Sequence, residues 1–237
     1  EFVCLPNGNI VCSYSSAEES GSTLAILDPS TSKLTPIRSP YTHFGALHVS
    51  TPNPDQYTIA ALVGSSTAPS SISLYTGSLH DLTDDADVIN TKRDDWTTLQ
   101  VSTTSEIDAA YLSVPRAIEF PTERGLTAWM IYYPPTSKDF IGSEGEKPPL
   151  LVKSHGGPTT ATSTAFNLSI QYWTSRGVAV ADVNYGGSTG YGRQYRDRLK
   201  GQWGIVDVED CCNAATHLAN TGLVDRARMA ISGGSAG

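Results

Sequence analysis

Up to about residue 96, short apolar and β-branched runs alternate with clusters of turn residues. Residues 10–14 (IVCSY) lead to Ser20-Gly21, and residues 23–27 (TLAIL) run into Asp28-Pro29-Ser30-Thr31. Residues 57–63 stop at Gly64, and residues 71–75 stop at Thr76-Gly77. Strands this short, bounded by Asp-Pro, Asn-Pro and Ser-Gly turns, predict an all-β region. A four-stranded propeller blade takes about 40–45 residues, so the stretch has room for about two blades. A ring needs more blades than that, so the propeller reading implies further sequence upstream. A small sandwich fits the same spacing.

The pattern changes near Pro115. Residues 116–120 and 126–133 read as two strands around a turn at 122–125, followed by a Pro-, Ser- and Gly-rich surface loop over 134–149. Strands then alternate with helices: strands at 150–154, 178–183 and 229–231, with helical periodicity between them. Such alternation predicts a parallel sheet with crossover helices. Two domains are therefore expected, a β-rich segment over residues 1–112 and an α/β segment over residues 113–237.

Both helices carry a readable stripe. Phe166, Ile170 and Trp173 fall at i, i+4 and i+7, with Gly177 as the stop. Val208, Cys211, Ala215 and Leu218 share a face that closes at Gly222. Asp207, Glu209 and Asp210 stand in the first turn of the second helix, where the helix dipole favours negative charge. That accounts for them structurally, without a catalytic role.

Charge and cysteine usage narrow the partners. A net charge of -8 argues against nucleic acid or an anionic membrane surface, either of which needs a basic face. No run of eighteen apolar residues predicts a membrane-spanning helix. The first residues, Glu1-Phe2-Val3-Cys4, show no leader pattern, although a cleaved leader leaves no trace. Of the four cysteines, Cys211 and Cys212 are neighbours on a helix and diverge, which suits no bridge. Cys4 and Cys12 have the spacing to meet across a hairpin, but free thiols are the favoured reading. The chain is accordingly expected to be cytoplasmic. Asn167-Leu168-Ser169 matches a glycosylation sequon by chance, inside a predicted helix. The acidic stretch 81–95, with Asp84, Asp85 and Asp87, lacks the glycine and distal glutamate of a calcium loop and reads as solvated. Neither a metal nor a cofactor is expected.

The candidate chemistry lies at the end of the α/β segment. Gly233-x-Ser235-x-Gly237 follows the apolar strand at 229–231, which is the context of a nucleophile elbow. There a strand turns sharply into a helix and presents the serine hydroxyl clear of the backbone. His155-Gly156-Gly157-Pro158 follows another strand of the same sheet, where a glycine-rich turn lends a backbone N–H to an oxyanion hole. Gly157 and Ala236 are thereby the expected oxyanion donors. His43, His48, His80, His155 and His217 all precede Ser235, whereas the base of this arrangement follows the nucleophile along the chain. Asp225 also precedes it and reads as a turn residue. Residues 186–192 (GGSTGYG) lack the ending of a P-loop and the glycine order of a dinucleotide fingerprint. They suit a turn at the carboxyl end of a strand.

Together these strings resemble the prolyl oligopeptidase family of serine peptidases: His155 to Pro158, then NYGGSTGYG at 184–192, then Trp203-Gly204 with Asp207-Val208-Glu209-Asp210, then residues 233–237. The nearest branch is that of acylaminoacyl-peptidases and dipeptidyl-aminopeptidases. The resemblance is strong from residue 150, moderate from residue 115, and rests only on strand texture before that.

It implies an α/β-hydrolase fold, here its amino-terminal part ending at the elbow, preceded by the last blades of a β-propeller. It also implies an oligopeptidase or aminopeptidase that forms an acyl-enzyme on Ser235, with peptide as substrate. The triad acid and base are expected outside these residues, supplied by the rest of the same polypeptide, with homo-oligomerisation compatible. Gly186 departs from the family, standing where many relatives carry arginine. An esterase of the same superfold, or an inactive fragment with a binding or structural role, are the other readings.

Overall fold

The computed structural model describes residues 1–15, 21–53, 55–78 and 87–237. Asp81, Asp84, Asp85 and His80 lie outside the described residues. The chain divides into two compact units, one over 1–15 and 21–105, the other from 106 onward.

The first unit is built of two sheets. Strands β1 (Phe2–Cys4), β2 (Ile10–Tyr14), β3 (Thr23–Asp28) and β4 (Lys33–Arg38) form an antiparallel meander that β8 (Ile89–Asn90) extends in parallel. Strands β5 (His43–Asn53), β6 (Gln56–Gly64), β7 (Ser71–Ser78) and β9 (Trp96–Val101) form the second, antiparallel throughout. Alternate positions of β6 and β7 are buried, as a half-solvated antiparallel sheet requires. One core serves both sheets: Val11, Leu24 and Ile37 from the first meet Phe44, Tyr57, Ile59, Val63 and Trp96 from the second.

Strands β1, β4, β5, β8 and β9 are additions to the sequence reading, and β8 lies within the stretch 81–95 that reads as a solvated loop. Pro36 within β4 masks its pattern, and it is tolerated although a proline cannot donate to a ladder. Cys4 and Cys12 pair with Ile10 and Phe2, not with each other, and both thiols are free.

The second unit contains the five-stranded sheet that positions the candidate site. Its order is β10 (Arg116–Pro121), β11 (Thr127–Tyr133), β13 (Ala179–Asn184), β12 (Leu150–Ser154), β14 (Met229–Gly233). The β10–β11 hairpin joins β13 antiparallel, whereas β13, β12 and β14 run parallel. Helix α1 (Leu168–Thr174) connects β12 to β13 and packs Ile170 on one face with Ile131, Tyr133 and Val180. Helices α2 (Arg193–Asp197) and α3 (Val206–Asn220) connect β13 to β14. On the opposite face α3 packs Cys211, Ala214 and Leu218 against Met130, Val152 and Ala181.

The two helical stripes differ from expectation. Phe166 precedes α1, Asn167 caps it through bonds from the N–H groups of Ser169 and Ile170, and Trp173 is 41% exposed. The sequon asparagine is therefore a surface helix cap rather than a mid-helix residue. On α3, Val208 is 54% exposed, and Asp207, Asp210 and Ala214 face inward. The helix is rotated from the simple apolar stripe because two carboxylates are satisfied inside. Asp207 accepts from the Gly204 N–H at 2.7 Å, and Asp210 reaches the strand-to-helix turn described below. Among the described residues no helix is long and apolar enough to cross a membrane.

Candidate active site

The sheet reverses its direction of build at β12. Strand β13 lies on one side of it and β14 on the other, and the intervening helices α1 and α3 cover opposite faces. In sheets of this kind a ligand crevice opens beyond the carboxyl ends of the two strands at the reversal. Those ends are Ser154, followed by the His155-Gly156-Gly157 turn, and Gly233, followed by residues 234–237. The two candidate motifs, about 80 residues apart in the chain, thus emerge side by side.

Ser235 is exposed and has φ 59°, in the left-handed region that non-glycine residues avoid. The Gly237 N–H donates to the Gly234 carbonyl at 3.0 Å and closes the turn. Its flanking glycines are explained by space. A Cβ on Gly233 would lie 2.8 Å from the Gly237 oxygen and 3.0 Å from the Ser154 oxygen. One on Gly237 would overlap the Ser154 carbonyl and come within 2.8 Å of the His155 oxygen. The turn is therefore pressed against the backbone of β12 and of the loop that leaves it.

That loop meets the serine directly. A Cβ built on Gly156 would sit 3.1 Å from Ser235 Cβ, 3.7 Å from its Oγ and 2.9 Å from the Gly234 oxygen. Gly157 has φ 125°, and a side chain there would strike Thr160 at 2.9 Å. Both glycines are thus required by the backbone path, which brings main chain rather than side chain up to Ser235. Ala236, the other expected donor residue, is half-buried in the elbow turn.

His155 is committed elsewhere. Its Nδ1 lies 2.8 Å from the Gly156 oxygen and its Nε2 2.8 Å from Ser188 Oγ, while its ring stacks on Tyr185 at 4.3 Å. Burial holds its pKa below the ordinary imidazole value. The Tyr185 hydroxyl donates to the His155 carbonyl at 2.8 Å, and burial pushes its pKa up to about 12. His217 lies on α3, tilted against Phe120.

The segment after β13 is the loop's other support. Ser188 is fully buried, and its N–H and the Gly187 N–H donate to the carbonyls of Tyr185 and Tyr195. The Gly186 N–H donates to Asp210 at 2.7 Å, and Thr122 also donates to that carboxylate. Burial raises the Asp210 pKa, against the pull of these bonds. A Cβ on Gly186 would stand 2.7 Å from Val206 Cγ1 and 3.2 Å from Arg198 Cδ. Position 186 therefore points into the α2–α3 packing, so the absence of arginine there is a packing matter in this chain.

Asp225 lies in the turn before β14, accepting from the Ala227 N–H and paired with Arg228 at 2.7 Å. Among the described residues no cluster of His, Cys, Asp and Glu is suited to a metal ion.

A second buried carboxylate, Asp182 on β13, accepts from Thr162 Oγ1, while Asn184 Oδ1 accepts from the Thr162 N–H at 2.8 Å. These bonds tie the loop after Gly157 to the sheet. Burial raises the Asp182 pKa, so the folded state binds its proton more tightly than the unfolded chain does. The cost of ionising it appears as pH rises through the unfolded carboxyl range near ~4 and is complete above the raised folded value. Asp182→Asn keeps an acceptor for Thr162 and removes that cost. It is expected to raise the urea midpoint at pH 7 and leave it unchanged at acid pH. A lower midpoint at pH 7 would show that the charge is stabilising.

Comparison with known proteins agrees with this geometry. Residues 164–237 match the prolyl oligopeptidase family. The acylamino-acid-releasing enzyme of Arabidopsis thaliana is 37% identical over 93 residues, which are 39% of this chain and 12% of that enzyme. Dipeptidyl aminopeptidase BIII of Pseudoxanthomonas mexicana is 34% identical over 89 residues, 38% of this chain and 13% of the relative. The structure of a puromycin-hydrolyzing peptidase from Mycobacterium tuberculosis superposes with a TM-score of 0.83 at 37% identity, covering 99% of this chain and 33% of that one. The chain thus spans about a third of the length of that solved relative, and its matches to the two curated relatives cover about an eighth of theirs. Residues 164–237 thus match the prolyl oligopeptidase family, and nearly the whole chain shares its fold with part of a puromycin-hydrolyzing peptidase.

Proposed function

We propose that this chain carries the nucleophile and the oxyanion loop of a serine peptidase that hydrolyses short peptides through an acyl-enzyme on Ser235. The observation that carries the reading is the seating of Gly156 against Ser235, so close that a Cβ on Gly156 would lie 3.1 Å from Ser235 Cβ and 3.7 Å from its hydroxyl oxygen. The Ser235 hydroxyl attacks the peptide carbonyl, and the N–H groups of Gly157 and Ala236 receive the charge that forms on its oxygen. The acid and the base come from sequence outside these 237 residues, since His155 spends both ring nitrogens on the loop and His217 lies on α3 beside Phe120. In the same reading residues 1–112 form a pair of propeller blades, residues 113–237 form the front half of an α/β-hydrolase domain, and the protein is cytoplasmic.

The full-length protein is expected to react at Ser235 with a fluorophosphonate and to hydrolyse aminoacyl anilides. The 237-residue polypeptide alone is expected to label slowly or not at all. Peptide mapping of the adduct and anilide turnover read the outcome. Rapid labelling of the 237-residue chain would sink the missing-base argument. Turnover of simple esters with no anilide hydrolysis would make the protein an esterase.

A further inference from the structure

A second concave site lies between the β10–β11 turn and helices α2 and α3, and shares no lining residue with the elbow or the glycine turn. Its volume is about 110 Å³, on the scale of cavities that hold a benzene-sized molecule. The walls carry charge of both signs: Glu123 and Arg124 from the turn, Arg198 at the end of α2, and Glu209 in the first turn of α3. Among the described residues none of these side chains enters an ion pair.

Their hydrogen bonds leave most of their capacity open. Arg198 donates to the Thr127 carbonyl at 2.7 Å, and Arg124 reaches Gln202 only at 3.4 Å. Glu123 accepts from Asn213 at 3.3 Å, and the Glu209 carboxylate accepts nothing among the described residues. Asp210, which also lines the cavity, is already satisfied by Thr122 and the Gly186 N–H. Arg124 has φ 60°, in the left-handed region that glycine fills without strain, yet the turn holds an arginine there.

Opposite charges kept apart across one cavity suit a ligand that carries both signs. A phosphate would meet the arginines but also Glu123 and Glu209. A metal ion fits no better, since no described group of His, Cys, Asp and Glu is suited to one. An α-amino acid matches both halves. Its carboxylate fits the planar fork of a guanidinium, and its ammonium gives charge-assisted bonds to glutamate. Leu126 and Val206 add apolar wall for a short aliphatic side chain.

We propose that this cavity binds a free α-amino acid with a short aliphatic side chain, its carboxylate on Arg124 and Arg198 and its ammonium on Glu209 and Glu123. The inference does not depend on Ser235 being the nucleophile.

Isothermal titration calorimetry of the full-length protein tests it with L-valine, L-valinol, which lacks the carboxylate, and α-hydroxyisovalerate, which lacks the ammonium. None of the probes has an amide bond to cut. Saturable binding of L-valine is expected, with each analogue about 10-fold weaker or more, because each loses a charge-assisted contact. Arg124→Gly is expected to weaken L-valine by about 10-fold or more and to leave L-valinol within about threefold. Glu209→Gln is expected to weaken L-valine similarly and to leave α-hydroxyisovalerate within about threefold.

Glycine suits the backbone at position 124, so Arg124→Gly decides alone should the glutamine variant fail to fold by circular dichroism. Absence of saturable L-valine binding, or equal affinity for the three probes, would overturn the proposal. L-Valine affinity unchanged by Arg124→Gly would put the ligand elsewhere in the protein and overturn it as well.

Discussion

Ser235→Ala in the full-length protein is expected to lower kcat for a peptide anilide by about a million-fold, with KM nearly unchanged, because a serine nucleophile and its base act as a unit. The residual rate would come from binding and from the oxyanion donors. The elbow offers a second readout of the same residue. Ser235 sits at φ 59°, where a Cβ crowds the backbone, so the turn holds roughly 1 kcal/mol or more of strain. Alanine keeps the Cβ and the strain. Ser235→Gly removes both hydroxyl and Cβ, and is expected to abolish activity while raising thermal stability by about 1 kcal/mol. Stability that rises as activity vanishes marks strain kept for function. Kinetic assay and thermal denaturation of the two variants side by side check it, and a glycine variant less stable than alanine would refute the strain argument.

The elbow was legible because close backbone approach writes itself into sequence as glycine. Gly233, Gly237 and Gly156 each have neighbouring backbone where a side chain would go. The strands of the parallel sheet were legible for the similar reason that β13, buried at every position, is apolar except at Asp182 and Asn184.

What stayed hidden are pairings between distant polar residues. Nothing local links Ser188 to His155, or Asp210 to Gly186 and Thr122. Asp210 read as a helix-dipole residue because its position in the first turn gives an adequate local account of its charge. Its buried carboxylate instead satisfies a backbone N–H behind the β13 loop. The same blindness misplaced the buried face of α3, since an apolar stripe cannot show that two acids are satisfied inside. Strand β5 escaped notice for another reason: its register breaks between Gly45 and His48, and a bulge interrupts the period-two pattern.

Gly237→Ala in the full-length protein is expected to cost both halves of the site at once. The new methyl would overlap the Ser154 carbonyl and lie 2.8 Å from the His155 oxygen, and both are backbone atoms with no rotamer to yield. Relief requires the elbow to move away from β12 or the loop after Ser154 to move away from the elbow. Either motion separates Ser235 from Gly156 and from the peptide that carries the Gly157 N–H. Overpacking against fixed backbone costs about 1–3 kcal/mol in stability. The larger effect falls on rate, because a displacement of about 1 Å between nucleophile and donors is worth ~100-fold or more. Fluorophosphonate labelling separates this from loss of the nucleophile. The serine is still present, so labelling slows in step with kcat instead of disappearing, and circular dichroism reports whether the sheet survives. A Gly237→Ala protein with wild-type labelling and turnover would show that elbow and oxyanion loop are not in the contact described, and would remove the main support for reading the two motifs as one site.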